Sequence, residues 1–502
     1  MKKKLLVALL CLTLVCCFTA CNLADFEFGG LVGELFSQGV GDYIPSDDHI
    51  MPETAIKETW VEETWIEETW VEDETVSYPM HLYAGYTLTL LGSMEHDLGF
   101  DEYGDDIVAE TSYRRNMSLT EQYSIAVDAL LADQASLGDM VRNDVTAGQG
   151  DYDVVMGVIA DPGAELAQKG MLYNLYGLSY VDIKGEGWDA SNHEGLAIGS
   201  YLPMATGSLV PTSDLYTSML VFNAVMMDEM GINPYDYVQC GGWTLSKMNT
   251  FAAMAYSDLN GNGYTDQDDA LGLVATLDSA NAFAVAADAV LIEKDASTNA
   301  PFLNSLTEEQ VTAYGLVFGL INENKGSYGV YGYASDAQTA FEMGNTLLYT
   351  TTVQGAMQLM GSDVAYGILP YPKLSENQVD YRSYVDCYST AVMIPVSAQR
   401  IDFVGYALNA LTYSASGLLE STVGPRICRS EQDAEMLTLV LDSKTLDFGS
   451  NYLYANTEGA VQLFRMAIAQ TSVDNLASLM ARNEKVIQKG LKKLISSYED
   501  LQ

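Results

Sequence analysis

From Tyr86 onward, short apolar runs alternate with stretches in which apolar residues recur every three or four positions. The runs 86–92 (YTLTLLG) and 151–158 (DYDVVMGV) have the length and continuity of buried strands, whereas 119–133 (LTEQYSIAVDALLAD) reads as an amphipathic helix. In 161–175 (DPGAELAQKGMLYNL) Asp161 is placed to cap a helix and Pro162 to open it, with an end near Gly170. A second set begins with a strand and helix in 216–232 and a helix rich in Ala and Met in 241–259. Three strand-like runs follow at 345–351, 364–373 and 388–396, and the text from Ile401 onward is almost wholly helical. Strands alternating with helices predict a mainly parallel sheet covered on both faces.

Upstream the rhythm is absent. Between Cys21 and about Pro79 the chain has no sustained period and is rich in Asp, Glu, Thr and Gly, the composition of a linker. It carries ETWVEETWIEETWVE (58–72), a five-residue unit repeated three times. A period of five matches neither the pleat of a strand nor the turn of a helix, so the repeat has no single face to bury and reads as an acidic spacer; a short strand, or a dock on cell-wall glycan through the Trp-Val/Ile pairs, is the alternative. Before it, Met1-Lys2-Lys3-Lys4, the apolar run 5–15 and Phe18-Thr19-Ala20-Cys21 form the charged, apolar and small-residue parts of an export signal, 1–20. The cysteine after the small residue resembles the lipobox of bacterial lipoproteins, which implies a lipid on Cys21; an ordinary signal peptide with an incidental cysteine is the plainer alternative. No later apolar run reaches the ~18 residues that span a membrane.

With 68 acidic and 24 basic residues the formal charge is −44, which disfavours nucleic acid or any polyanion as a partner. Beyond the signal the cysteines are Cys21, Cys240, Cys387 and Cys428, without CxxC spacing, so neither a disulfide framework nor a zinc knuckle is indicated, and no pairing is selected. The roughly 420 residues after the linker exceed one compact core and predict two domains or lobes.

The most specific local motif is DLNGNGYTDQDD (258–269). Asp258, Asn260, Asn262, Asp266 and Asp269 stand at positions 1, 3, 5, 9 and 12, Gly263 at 6, and Tyr264 at 7 offers its carbonyl, the spacing of an EF-hand-type loop with Asp in place of the final Glu. The expected ion is a structural Ca2+; a metal-free Asn/Gly/Asp turn is the alternative. Of catalytic signatures there is no HExxH, GxSxG, P-loop or strand-borne GxGxxG, and the four histidines form no motif, so no catalytic residue is singled out and an enzyme is not expected.

The order of these pieces, with YDVVMGVIADPGAELAQKGMLYNL (152–175), MLVFNAVMMDEMGINPYD (219–236), GGWTLSKM (241–248), AFEMGNTLLYTT (340–351), YGILPYPK (366–373), QVDYRSYVD (378–386) and IPVSAQ (394–399), is similar to the extracellular solute-binding proteins of ABC importers, carbohydrate-type family 1, over about 80–502. The resemblance implies an α/β, type II periplasmic-binding-protein-like fold: two lobes joined by hinge strands, ligand in the cleft between them. It places lobe 1 at 81–215 plus 335–365 and lobe 2 at 216–334 plus 366–502, after a tether over 21–80, with crossings near 207–217 and near Ile368. It implies a monomeric lipoprotein on the extracellular face of the cytoplasmic membrane that captures a sugar or oligosaccharide and delivers it to a permease. Aromatic faces and hydroxyl-bridging polar groups suit a sugar, and the candidates are Trp188, Trp243, Tyr381, Arg382, Tyr384 and Asp386. Trp243, at a helix start, serves equally to staple lobe packing, and Arg115-Asn116 reads as pinning its helix rather than touching ligand. A polysaccharide-acting enzyme with a calcium-loop module and a solute receptor without a transport role are the competing readings.

Overall fold

The computed structural model describes residues 80–100, 106–276, 278–304, 306–330, 334–457, 461, 465 and 473–499. The export signal, Cys21 and the ETWVE repeat lie outside the described residues.

The first of two principal sheets is built on β1 (Thr87–Gly92), which pairs in parallel with β2 (Ala126–Leu131) and with β3 (Val154–Val158). All of β3 is buried, as its unbroken apolar text predicts. Helix α1 (Ile107–Tyr123) begins where the Asp106 carboxylate accepts from the N–H groups of Val108 and Ala109 at 3.0 and 3.1 Å, and ends at Ser124, which adopts φ 57. The helix expected over 119–133 therefore covers only its first residues, and the rest is β2. In this edge strand Val127 and Ala129 are half-buried and their neighbours exposed, an alternation that pairing with β1 turns into a pleat whatever the local helix propensity. Helix α2 (Gln134–Ala147) returns the chain to β3. The helix expected to open at Pro162 starts instead at Ala164 and runs only to Gln168; Asp161 is extended (φ −158) and caps nothing, while Gly170 (φ 65) makes the expected stop.

The chain leaves this sheet through α3 (Pro211–Leu215) and enters β4 (Ser218–Asn223), all six residues of which are buried. Helix α4 (Leu245–Ala255), capped by Thr244, then lies so close to β5 (Leu271–Thr276) that a Cβ on Gly272 would overlap the carbonyl of Ala252. After α5 (Ser279–Ala286), a hairpin of β6 (Ile292–Lys294) and β7 (Pro301–Leu303) precedes β8 (Ser327–Val330), β9 (Thr346–Thr352) and β10 (Tyr366–Leu369). The second sheet has the order β10-β4-β9-β5-β8, with β4 antiparallel to both of its neighbours. Next come β11 (Ser383–Tyr384) and β12 (Thr390–Met393), and β12 pairs antiparallel with β3 to complete the first sheet. The helices α6 (Ile401–Ala415), α7 (Leu418–Ile427) and α8 (Glu431–Asp442), the short β13 (Lys444–Thr445), α9 (Phe448–Thr457) and α10 (Leu476–Glu499) finish the chain.

Two expected lobe boundaries are corrected by the pairing. Residues 335–365 do not return to the first lobe, because β9 lies between β4 and β5 inside the second sheet. Nor does 366–502 stay wholly in the second lobe: β12 joins the first sheet and α6 packs on α1, while α8 goes back against β10 and α10 against β7. The crossing expected near Ile368 falls at 383–389, since Ile368 itself pairs with Val221 inside the second sheet.

Candidate functional site

Three crossing segments lie side by side between the sheets. Thr217 bridges Val385, the Asp386 N–H donates to the Tyr216 carbonyl at 3.2 Å, and β11 pairs in parallel with β13, continued by the Val385 N–H donating to Thr445 O at 3.1 Å. Buried charge fixes them at the first lobe. Asp97, fully buried, accepts from Thr212 N (3.1 Å) and Thr212 Oγ1 (2.8 Å) on one crossing and from Thr390 Oγ1 (2.6 Å) on another; burial pushes its carboxyl up against the pull of these bonds. Arg115, also buried, donates to the carbonyls of Asp97 at 2.8 Å and Leu209 at 2.6 Å, while Asn116 Nδ2 donates to those of Leu98 and Gly99. This pair pins main chain, as read from the sequence. On β13, Lys444 Nζ pairs with Asp189 at 2.8 Å and with Asp214 of α3. Burial alone would lower that ammonium; the two carboxylates hold it above its usual range.

The carboxyl ends of β3 and its parallel neighbour β1, and of β9 and its parallel neighbour β5, lie toward this hinge, where the antiparallel β12 and β4 begin; ligands of open α/β sheets bind at such carboxyl ends. From the first lobe, Ser93 follows β1 and its hydroxyl donates to Gln134 Oε1; Gln134 Nε2 donates to the carbonyl of Asp161, which follows β3. Burial and then Glu165 push the Asp161 carboxyl up. From the second lobe, Asp278 stands between β5 and α5, where Ser279 Oγ meets Thr350 Oγ1 of β9 at 2.7 Å. Asp278 is reached by solvent yet ringed by protein, and this enclosure raises its carboxyl. At the hinge Asp386 accepts from the Tyr388 N–H at 2.8 Å; burial, and then the charge of Asp278, push it up to about 6. Asn281 Oδ1 and Ser389 Oγ, near these two carboxylates in sequence, are buried without a hydrogen-bond partner. The carboxylates of Asp161, Asp278 and Asp386 keep acceptor lone pairs beyond the bonds described, the chemistry a polyhydroxylated ligand would use.

Of the six residues expected at the ligand, only Asp386 is among these. Trp243 is fully buried and its indole N–H is spent on Pro370 O at 2.9 Å, which is the packing alternative. Tyr381 donates to Val238 O at 3.2 Å with Lys373 Nζ 5.0 Å from its ring centre, on the same side of the second lobe as Trp243. Arg382 pairs with Asp288 at 3.3 Å and lines a cavity of about 650 Å3 with Lys294, Gln378 and Asp447. Tyr384 is buried in the β11–β13 ribbon and Trp188 beside Asp189, where it faces His193 edge-on with centroids 6.4 Å apart. Ser93, Gln134, Asp161 and Asp278 were missed. Their signal was positional, since each lies within three residues of the carboxyl end of a strand.

The loop 258–269 is an exposed turn closed on itself. Asp258 accepts from the N–H groups of Gly261 (2.6 Å) and Gly263 (2.9 Å), both glycines at positive φ; Asn260 and Asn262 direct Nδ2 to Asp266 and Oδ1 to backbone N–H; buried Asp269 accepts from Leu259 N and Asp266 N. Tyr264 is exposed. Among the described residues no three His, Cys, Asp or Glu side chains form a metal-binding group. The donor set still fits Ca2+, because its oxygens come from two amides as well as carboxylates, and rotating an amide exchanges Nδ2 for Oδ1.

No family model and no curated sequence matches the chain. Solved structures do match its fold. UspC of M. tuberculosis aligns with a TM-score of 0.57 at 14% identity over 80% of this chain and 100% of that one. A cyclic alpha-maltosyl-1,6-maltose binding protein from Arthrobacter globiformis gives 0.55 and 13% over 81% and 99%, and a cyclo/maltodextrin-binding protein complexed with maltotetraose gives 0.54 and 13% over 86% and 99%. The fold is thus the two-lobed α/β arrangement that these solved structures share.

Proposed function

We propose that the chain is an extracellular, lipid-anchored receptor that closes its cleft on a sugar or oligosaccharide and hands it to an ABC permease. The observation that carries this reading is the row of polar groups at the strand ends, Ser93, Gln134, Asp161, Asp278 and Asp386, gathered around three crossing segments. Carboxylates and amides with spare acceptors bridge hydroxyls, and the hinge lets one lobe close over a solute held by the other. Proteins of this fold named for cyclic and linear maltodextrins support a saccharide over other solutes. Among the described residues no helix is long and apolar enough to cross a membrane, so attachment rests on the lipid expected at Cys21. Ca2+ in the loop 258–269, held by Asp258, Asn260, Asn262, Asp266, Asp269 and the Tyr264 carbonyl, would fix the connection between α4 and β5.

Titration calorimetry and thermal shift across a panel of malto-oligosaccharides and other glycans test the reading. At least one saccharide should bind and raise the melting temperature; stabilisation by peptides or polyamines alone would overturn it. Asp278 and Asp386 are also the pair a glycoside-hydrolase reading would use. Labelled oligosaccharide incubated with the protein should be recovered intact, and cleavage would favour the enzyme.

A further inference from the structure

Five of the 24 Lys and Arg residues of this acidic chain fall within twelve residues of α10: Arg482, Lys485, Lys489, Lys492 and Lys493. All five are exposed. Their spacing of three and four confines them to one ~100° sector of the helix, opposite the sector that buries Leu479, Ile487, Leu491 and Leu494. Glu484, which accepts from Gln488 at 3.0 Å, and Glu499 lie outside the cationic sector on one and the same flank, Glu499 only ~20° beyond Lys492 at the rim of the neighbouring groove. Beside it the β6–β7 hairpin packs on α10 and leaves a groove of about 420 Å3 lined by Phe302, Leu491, Lys492 and Ile495; Phe302 is 42% and Val486 47% exposed. The hairpin's own carboxylates, Glu293 and Asp295, are held by Asn304 and by Ser297 and Thr298.

From this juxtaposition of a one-sided cationic helix face and an exposed aromatic we infer that α10 docks on an anionic lipid surface. The net charge of −44 does not prevent it, because at physiological salt charges farther than about 8 Å are screened and the patch meets the lipid first. Basic residues beside an aromatic and an aliphatic side chain match the boundary between headgroups and acyl chains. The buried face keeps the helix on the protein, so contact is electrostatic and peripheral. The inference is independent of the ligand in the cleft. A lipid at Cys21 would supply the proximity, and the face α10 presents would then set how the lobes stand on the membrane.

The test uses the mature chain, residues 22–502, produced without an acyl group, so that failure of the anchor and failure of the docking face are separable. Its sedimentation with vesicles of phosphatidylcholine containing one third phosphatidylglycerol should exceed that with pure phosphatidylcholine by about tenfold at low salt, and the difference should vanish at high salt. Lys485→Gln with Lys489→Gln should remove most of the excess without changing the melting temperature or saccharide binding. Lys184→Gln with Lys325→Gln, also at exposed positions, should leave it intact. Equal sedimentation with both vesicles, an excess that survives high salt, or equal losses in the two double variants would overturn the inference. So would retention on immobilised polyglutamate without any on the vesicles, which would assign the face to an acidic protein.

Discussion

At Asp386 the second crossing meets the cleft, and burial with Asp278 nearby pushes its carboxyl up to about 6. The folded-state value lies above that of the unfolded chain, so the group's contribution to stability is full below about pH 4 and is lost as pH rises through about 6. Asp386→Asn keeps an acceptor for the Tyr388 N–H and removes the charge. It should raise stability by about 1–2 kcal/mol at pH 7, an effect that disappears by about pH 4 and is read from melts across that range. The same substitution should weaken saccharide binding if the carboxylate bridges hydroxyls. Trp243 predicts the reverse. Trp243→Phe strands the Pro370 carbonyl and leaves a gap, costing about 1–3 kcal/mol in denaturant unfolding, while affinity for the saccharide stays unchanged. Aromatic and polar residue types suited to sugar were legible in the sequence. Which of them face the cleft was not, because a tryptophan reads the same whether its N–H meets a ligand or the main chain of Pro370.

Among the elements, strands with continuous apolar text were found where expected, β3, β4 and β9 being buried over almost their whole length. Failures came where local propensity and pairing disagree. Residues 124–131 have apolar positions compatible with either period, and the parallel ladder to β1 decides for the strand. The contact between α4 and β5 gives an element-level prediction. Gly272→Ala places a methyl against Ala252 and should cost more than about 3 kcal/mol or prevent folding, whereas Gly261→Ala, in open space at positive φ, should cost only about 1 kcal/mol. For the loop between them, added Ca2+ should raise the melting temperature and chelation reverse it, with Asp258→Ala and Asp266→Ala abolishing the response. A loop indifferent to Ca2+ would be a plain turn closed by its own hydrogen bonds.

Over the whole molecule, closure about three neighbouring crossings should shorten the protein. Saturating saccharide should lower the radius of gyration in solution scattering, and Lys444→Met, which strips Asp189 and Asp214 of their shared cation, should destabilise by about 3–5 kcal/mol. Deleting 58–72 should leave ligand affinity unchanged, as the acidic-spacer reading requires. The sequence alone determined the class of architecture, since alternating strand and helix text of this length points to α/β sheets in more than one compact body, and it singled out 258–269 as a candidate Ca2+ loop, whose polar side chains come from one short stretch. Only the tertiary structure decided the lobe membership of β9, β12 and the C-terminal helices, the third crossing at Lys444–Thr445, and the placement of Ser93, Gln134, Asp161, Asp278 and Asp386 at strand ends and the hinge. Apolar periodicity records which face of an element is buried. It does not record which sheet the element joins or which strand ends come to lie together, and those pairings between residues hundreds of positions apart build the site.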